Sequence, residues 1–267
     1  MTMLLACGQF VPEPGNIAAN RATMLGQMED AARQGAALIV FPELALTGYL
    51  PPNEVAPLAV RVQGDELAPL RQAAARLGLG VAIGMAELNG DTRYNSLVYV
   101  NAQGEVEHVY RKLHLWDTER LWATPGDGLG TFSAEGVRAG MWICYDTRFP
   151  EAGRLVAAGG GTLALVATAW LGPAAEWELA VRARALDNGM YVAASALQGT
   201  YAGNRFVGPS LIADPHGNVL ARLPEGRTGV IIAPYDQAVV AGFRDRVPLL
   251  RHRRLDAYDP LLEAADW

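Results

Sequence analysis

Cysteine is scarce in this chain, with Cys7 and Cys144 the only two among 267 residues. Two such distant thiols make no disulfide framework, and neither has the paired spacing of a zinc site, so each is read as a free thiol. Blocks of like charge are missing as well. Lysine and arginine number 22 against 28 aspartate and glutamate, interspersed, for a formal net charge of −6. That balance argues against a nucleic-acid or anionic-membrane footprint and favours a small-molecule substrate. No stretch approaches the roughly 20 apolar residues that span a bilayer. The opening MTMLLACGQFVPEPGN has no basic n-region, and Pro and Glu follow its short apolar stretch at once, so it does not read as a signal peptide. The expected location is the cytoplasm.

What is present is apolar: 51% of the residues, enough for a sizeable core and for one domain spanning 1–267. Short apolar runs alternate with helix-period segments, the pattern of a layered α/β protein. A first strand is expected over Met3 to Gln9. Asn16 then caps a helix that carries Ile17, Met24, Leu25, Met28 and Ala32 and ends at Gly35. Ala36 to Phe41 reads as a buried strand delivering Glu43 to its end. A helix over about Glu66 to Leu77 and strands at Val81 to Met85, Asn95 to Val100 and Val106 to Tyr110 follow. Lys112 to Gly128, without clear periodicity, reads as a functional loop. Strands at Thr131 to Ser133 and Val137 to Ile143, a helix over Pro150 to Ala158 and a buried strand at Thr162 to Ala167 come next. Pro173, Glu176 and Glu178 start a helix that Gly189 ends. Tyr191 to Ala196, Phe206 to Ala213 and Val230 to Ala233 are the last expected strands. The final stretch, about Arg244 to Trp267, reads as a tail that wraps a surface or a neighbouring subunit.

Three segments each set a reactive side chain just after a buried strand, where α/β folds expose chemistry: FPEL with Glu43, YRKLHLW with Lys112 and WICYDTRFPE with Cys144. A thiol, a carboxylate and an ammonium make an acyl-transfer set of nucleophile, general base and oxyanion stabiliser, with no metal or cofactor required. Taken singly, each has a plainer reading: Cys144 as a small buried hydrophobe, Glu43 as a helix cap, Lys112 as a surface charge. His114 opens a further alternative, a Cys–His pair.

Taken together, these segments resemble the nitrilase superfamily of carbon–nitrogen hydrolases. The likeness runs from ACGQF through GAALIVFPEL and EWELAVRARALDN to PLLRHRRLDAY. It implies a four-layer α-β-β-α sandwich with a Glu-Lys-Cys triad, in which Glu43 is the general base, Lys112 the cationic stabiliser and Cys144 the nucleophile. It also implies a second glutamate, Glu119, ahead of the turn Pro125, Gly126, Asp127. The nearby ammonium is expected to favour thiolate at Cys144, and the backbone N–H of Tyr145 to share the oxyanion with Lys112. At least a homodimer is implied, with the last ~20 residues contacting the partner, as is a small amide substrate.

CYD after the nucleophile resembles the amidase branches, so amides are preferred over nitriles. Arg148 either grips a substrate carboxylate, as the resemblance to carbamoyl amino-acid hydrolases implies, or pairs with Glu151 or another neighbouring carboxylate. Trp170 and Tyr49 either line the pocket or belong to the core, and the same choice holds for Trp116 and Trp122. Glu176 departs from the pattern, since relatives resembling omega-amidases carry His there. The expected activity is hydrolysis of small carboxamides to acid and ammonia through a thioester. Hydrolysis of N-carbamoyl amino acids, hydrolysis of nitriles, and an inactive binding protein are the alternatives.

Overall fold

In the computed structural model, which describes residues 1–258, the chain builds two six-stranded mixed sheets that face one another. The first has the order β14-β1-β2-β3-β4-β5, from Gly229–Asp236, Thr2–Gln9, Ala36–Val40, Gly80–Asn89, Thr92–Val100 and Val106–Arg111. The second has the order β13-β12-β9-β8-β7-β6, from Val219–Leu223, Ser210–Ala213, Tyr191–Ala196, Leu163–Thr168, Val137–Ile143 and Thr131–Ala134. A small hairpin, β10 (Gly199–Tyr201) with β11 (Asn204–Phe206), stands apart.

Period-two alternation sorts the side chains of β1: Leu5 and Cys7 enter the core between the sheets, whereas Ala6 faces outward onto helices α1 (Ile17–Arg33) and α3 (Ala68–Leu77). On the far side, Val156 of α4 (Pro150–Ala158) and Trp177, Val181 and Ala185 of α5 (Ala174–Asn188) cover the second sheet. The result is four layers, α-β-β-α, as expected. The central strands β2 and β8 are parallel to their neighbours on both sides and apolar almost throughout, because helices cover one face and the opposite sheet the other.

Local chemistry sets the helix ends. The Asn16 side chain accepts from the Ala19 N–H at 3.1 Å to open α1, and Gly189, at φ +54°, closes α5 in the left-handed region. The helix expected from Glu66 begins only at Ala68. Pro69 forces this, since its ring would clash with the Asp65 carbonyl of a longer helix. Similarly, the strand expected over Phe206 to Ala213 is split, because Gly208 turns at φ +100° and Pro209 has no N–H for a ladder. Strand β13, the four-residue α2 (Pro52–Val55) and α6 (Gln237–Arg246), opened by Asp236 accepting from Ala238, were not expected. Of the tail, 259–267 lie outside the described residues. No helix among the described residues is long and apolar enough to cross a membrane.

Sheet direction determines where reactive groups gather. Strand β2 runs parallel to β3, and two antiparallel steps through β4 bring β5 back to the same direction, so the residues after β2 and β5 emerge at one end of the first sheet. In the second sheet β7 and β8 are parallel and end together. These ends meet.

Candidate active site

Four of the residues singled out in the sequence converge there. Glu43 follows β2 and is fully buried, Lys112 follows β5 and is 1% exposed, Glu119 lies in a 3₁₀ turn over Asp117–Leu121, and Cys144 follows β7 directly. The Lys112 Nζ donates to Glu43 Oε1 at 2.7 Å and to Glu119 Oε1 at 2.8 Å. An ammonium has three N–H donors. With two carboxylates engaged, a third remains for the cavity whose wall Lys112 forms.

Two groups that the sequence did not mark complete the cluster. Asn95, near the start of β4, donates through Nδ2 to Glu43 Oε1 (2.7 Å) and Glu119 Oε1 (3.1 Å). Its backbone carbonyl accepts the Lys112 backbone N–H at 2.8 Å. One residue thereby ties both carboxylates to the lysine backbone. Ala169, just past β8, donates its N–H to Glu43 Oε2 at 2.7 Å, and its carbonyl oxygen lies 3.9 Å from Cys144 Sγ. It sets carboxylate and thiol on the two sides of one residue. The signal for Asn95 was its occurrence in a strand, where asparagine is depleted; a backbone N–H such as that of Ala169 leaves no signal.

Backbone geometry around the cluster is unusual. Leu44 (φ +49°), Asp117 (φ +46°) and Cys144 (φ +46°) are non-glycine residues in the left-handed region, each at or within two residues of the cluster. The turn carrying Glu43 lies hard against β3: a Cβ on Gly84 would stand 2.0 Å from the Pro42 oxygen. The PGD turn likewise rests on the lysine segment, where a Cβ on Gly126 would stand 2.2 Å from the Arg111 oxygen, and Gly126 N–H donates to Lys112 O at 2.9 Å.

Asp146 joins the cysteine and lysine segments. Fully buried, it accepts from Ile143 N–H (3.0 Å), Tyr110 OH (2.7 Å) and His114 N–H (3.0 Å), and His114 Nδ1 lies 2.8 Å away. His114 is thus committed to Asp146 and stacks on Phe149 at 3.6 Å between centroids. His114 is not among the described residues that wall the cavity over Cys144, which speaks against the Cys–His alternative.

Burial governs the electrostatics. Desolvation alone would lower the Lys112 ammonium, but Glu119 and Glu43 raise it well above the ordinary lysine value, so it stays charged. Burial pushes the Glu119 carboxyl up to about 7 against the downward pull of Lys112, with Glu43 adding to the rise. Burial also raises the Cys144 thiol, and Glu43 raises it further, while Lys112 and the Thr168 hydroxyl oppose. Lys112 thus acts in the expected direction, towards thiolate, but burial and Glu43 outweigh it.

A cavity of about 190 Å³ opens over Cys144, walled by Lys112, Tyr49, Tyr145, Arg148 and Trp170 among others. Tyr49 donates to Glu119 at 3.2 Å. Trp170 packs on Trp177 and lies beneath the Arg148 guanidinium, 4.7 Å from its ring centroid. Arg148 pairs with Glu176, not with Glu151. Trp116 also lines the cavity, whereas Trp122 packs with the Leu44, Leu50 and Val55 cluster. Cys7, by contrast, is fully buried between the sheets, where desolvation raises its thiol.

The family model described as carbon-nitrogen hydrolase matches residues 4–245. A protein of Schizosaccharomyces pombe named probable nitrilase is 32% identical, over 94% of this chain and 98% of its own. The deaminated glutathione amidase of Mus musculus is 33% identical over 97% of this chain and 85% of its own. Among solved structures, an amidase variant from Nesterenkonia sp. AN1, with the acetamide moiety of fluoroacetamide covalently added at its active-site cysteine, is similar at a TM-score of 0.85. It is 27% identical, covering 97% of this chain and 96% of that one.

Proposed function

The chain belongs to the carbon–nitrogen hydrolase family, and from that membership we propose that it hydrolyses small carboxamides to the carboxylic acid and ammonia through a thioester on Cys144. The observation that carries this reading is the buried cluster in which Lys112 joins Glu43 and Glu119, with Lys112 and Cys144 both in the wall of one cavity. The cavity's modest volume of about 190 Å³ suits a small acyl group.

In this reading the resting thiol gives its proton to Glu43 as Sγ attacks the amide carbon. The C=O electrons move onto oxygen, where the third N–H of Lys112 meets them. The backbone N–H of Tyr145 meets them too, since the leading N–H groups of a short helical turn have no partner within it. A single donor of this kind is typically worth about 2.7–4 kcal/mol. The tetrahedral species then expels the amine, which takes the proton from Glu43 and leaves as ammonia. Water enters, passes a proton to Glu43 and attacks the thioester; the C–S bond breaks to release the acid, and the Cys144 thiolate recovers that proton from Glu43. Glu43 thus serves both half-reactions, and the Ala169 N–H and Asn95 hold its two oxygens in place. Glu119 and Asn95 position Lys112.

The test is a panel of primary amides, N-carbamoyl amino acids and nitriles incubated with the wild-type protein. The expected result is equal release of ammonia and acid from amides. Carbon dioxide released with ammonia from carbamoyl substrates would replace this reading with a carbamoyl hydrolase, and turnover of nitriles alone would replace it with a nitrilase.

A further inference from the structure

The charges at the mouth of the cavity narrow the substrate further, on the premise that the protein is an amidase. Arg148 and Lys112 are the only cationic side chains among the described residues that wall the cavity, and both are ion-paired. Lys112 is bound to two buried carboxylates. Arg148, in the turn after Cys144, reaches across to Glu176 in the first turn of α5, and both side chains are about half exposed, 46% and 47%. The Arg148 guanidinium of this pair stands over the Trp170 ring. It is closely fitted: a Cβ on Gly172 would come 3.1 Å from Trp170 Nε1, 3.5 Å from Glu176 Oε2 and 3.6 Å from Arg148 NH2. Leu171 and Trp116 complete an otherwise apolar rim.

We propose that Glu176 is a specificity-determining residue that neutralises Arg148, so that the site selects amides with an uncharged acyl chain and disfavours ω-amides that end in a carboxylate. A carboxylate arriving at the rim meets a guanidinium already satisfied and an acidic oxygen beside it. To be held it must displace Glu176, which then lies unpaired next to a like charge. An uncharged chain has no such cost and covers the faces of Trp170, Leu171 and Trp116. Specificity here comes from the repulsive element as much as from the apolar surface.

The test compares valeramide with glutaramate, two amides of equal chain length in which a terminal methyl is replaced by carboxylate. kcat/KM is measured for wild type, Glu176→Gln and the double variant Glu176→Gln/Arg148→Gln, and equilibrium binding of both amides is measured on the Cys144→Ala protein with and without Glu176→Gln. Wild type is expected to favour valeramide by about tenfold or more, the scale of one charge-assisted hydrogen bond. Glu176→Gln, which frees Arg148, should raise the glutaramate-to-valeramide ratio about tenfold through KM, and the double variant should cancel the gain. A wild type that prefers glutaramate, or a ratio that Glu176→Gln leaves unmoved in both turnover and binding, overturns the inference while leaving the amidase reading intact. Absence of both turnover and binding for every amide would instead overturn the amidase reading, and this inference with it.

Discussion

At the scale of single residues, Glu119 shows how a buried group can be tuned by its partners. Everything that touches its carboxylate is a donor: Tyr49 OH, Asn95 Nδ2 and Lys112 Nζ at Oε1, and Trp116 N–H at Oε2. Only the Tyr49 hydroxyl could turn to accept a carboxyl proton, while the ammonium and the two N–H donors favour the ionised form. Burial nevertheless raises the group to about 7. The sign follows directly: a raised acid is neutral below its pKa, so falling pH depletes the form the network favours, and about a tenth remains ionised one unit below. The wild-type kcat/KM is predicted to fall as pH drops through about 7, and Glu119→Gln to show a lower plateau without that limb. A pH–rate profile of both proteins checks this; an identical limb in the variant would assign the titration elsewhere. The rim pair Arg148–Glu176 is a second residue-scale device, invisible in sequence because its members are 28 positions apart.

At the scale of elements, turns hold the reactive groups in place against strands. Gly84 on β3 admits the turn that carries Glu43, and no residue with a Cβ fits 2.0 Å from the Pro42 oxygen without moving it. Gly84→Ala should therefore displace that turn. We expect a loss of about 1–3 kcal/mol in stability from overpacking and a fall in kcat of about a hundredfold from misplacement of the base. Urea denaturation and steady-state kinetics would measure the two; wild-type kcat in a folded Gly84→Ala protein would refute the role of this contact. Several elements were legible in the sequence itself. Val137–Ile143, Pro150–Ala158 and Tyr191–Ala196 have the boundaries that apolar runs, Pro at a helix start and Gly beyond a helix end indicate. Strand β13 was not legible, since Val219–Leu223 lies at a sheet edge and alternates half-buried with exposed positions, giving no apolar run. Helix α6 was hidden for a related reason: only Val240 and Phe243 of its ten residues are buried.

At the scale of the whole molecule, the meeting of two sheets makes the site, and buried polar side chains lock that meeting. Gln9, fully buried at the end of β1, accepts the Ser210 N–H of the second sheet at 2.7 Å and donates to Pro224 O (2.8 Å) and Arg227 O (2.9 Å). Ser195 of β9 donates to the Gly8 carbonyl across the same gap. Gln9→Ala leaves the Ser210 N–H unpaired inside the protein and should cost about 1–3 kcal/mol, read as a lower urea midpoint with an unchanged slope. An unshifted midpoint would mean that the sheets do not depend on this link. The sequence placed Glu43, Lys112 and Cys144 after strands, where layered α/β folds expose chemistry; that they gather was what the resemblance to the nitrilase superfamily implied. Asn95 left only the weak signal of an asparagine in a strand, and Ala169 left none, because its part depends on the packing of the two sheets and on a backbone N–H alone.

The central claim is that Cys144 carries the acyl group, and the most direct measurement is ammonia release from a primary amide by wild type, Cys144→Ala and Cys7→Ala, with peptide-resolved mass detection of a trapped acyl adduct. The predicted result is turnover abolished in Cys144→Ala, retained in Cys7→Ala, and an adduct confined to the peptide that contains Cys144. Undiminished turnover in Cys144→Ala, or an adduct on Cys7, would contradict it.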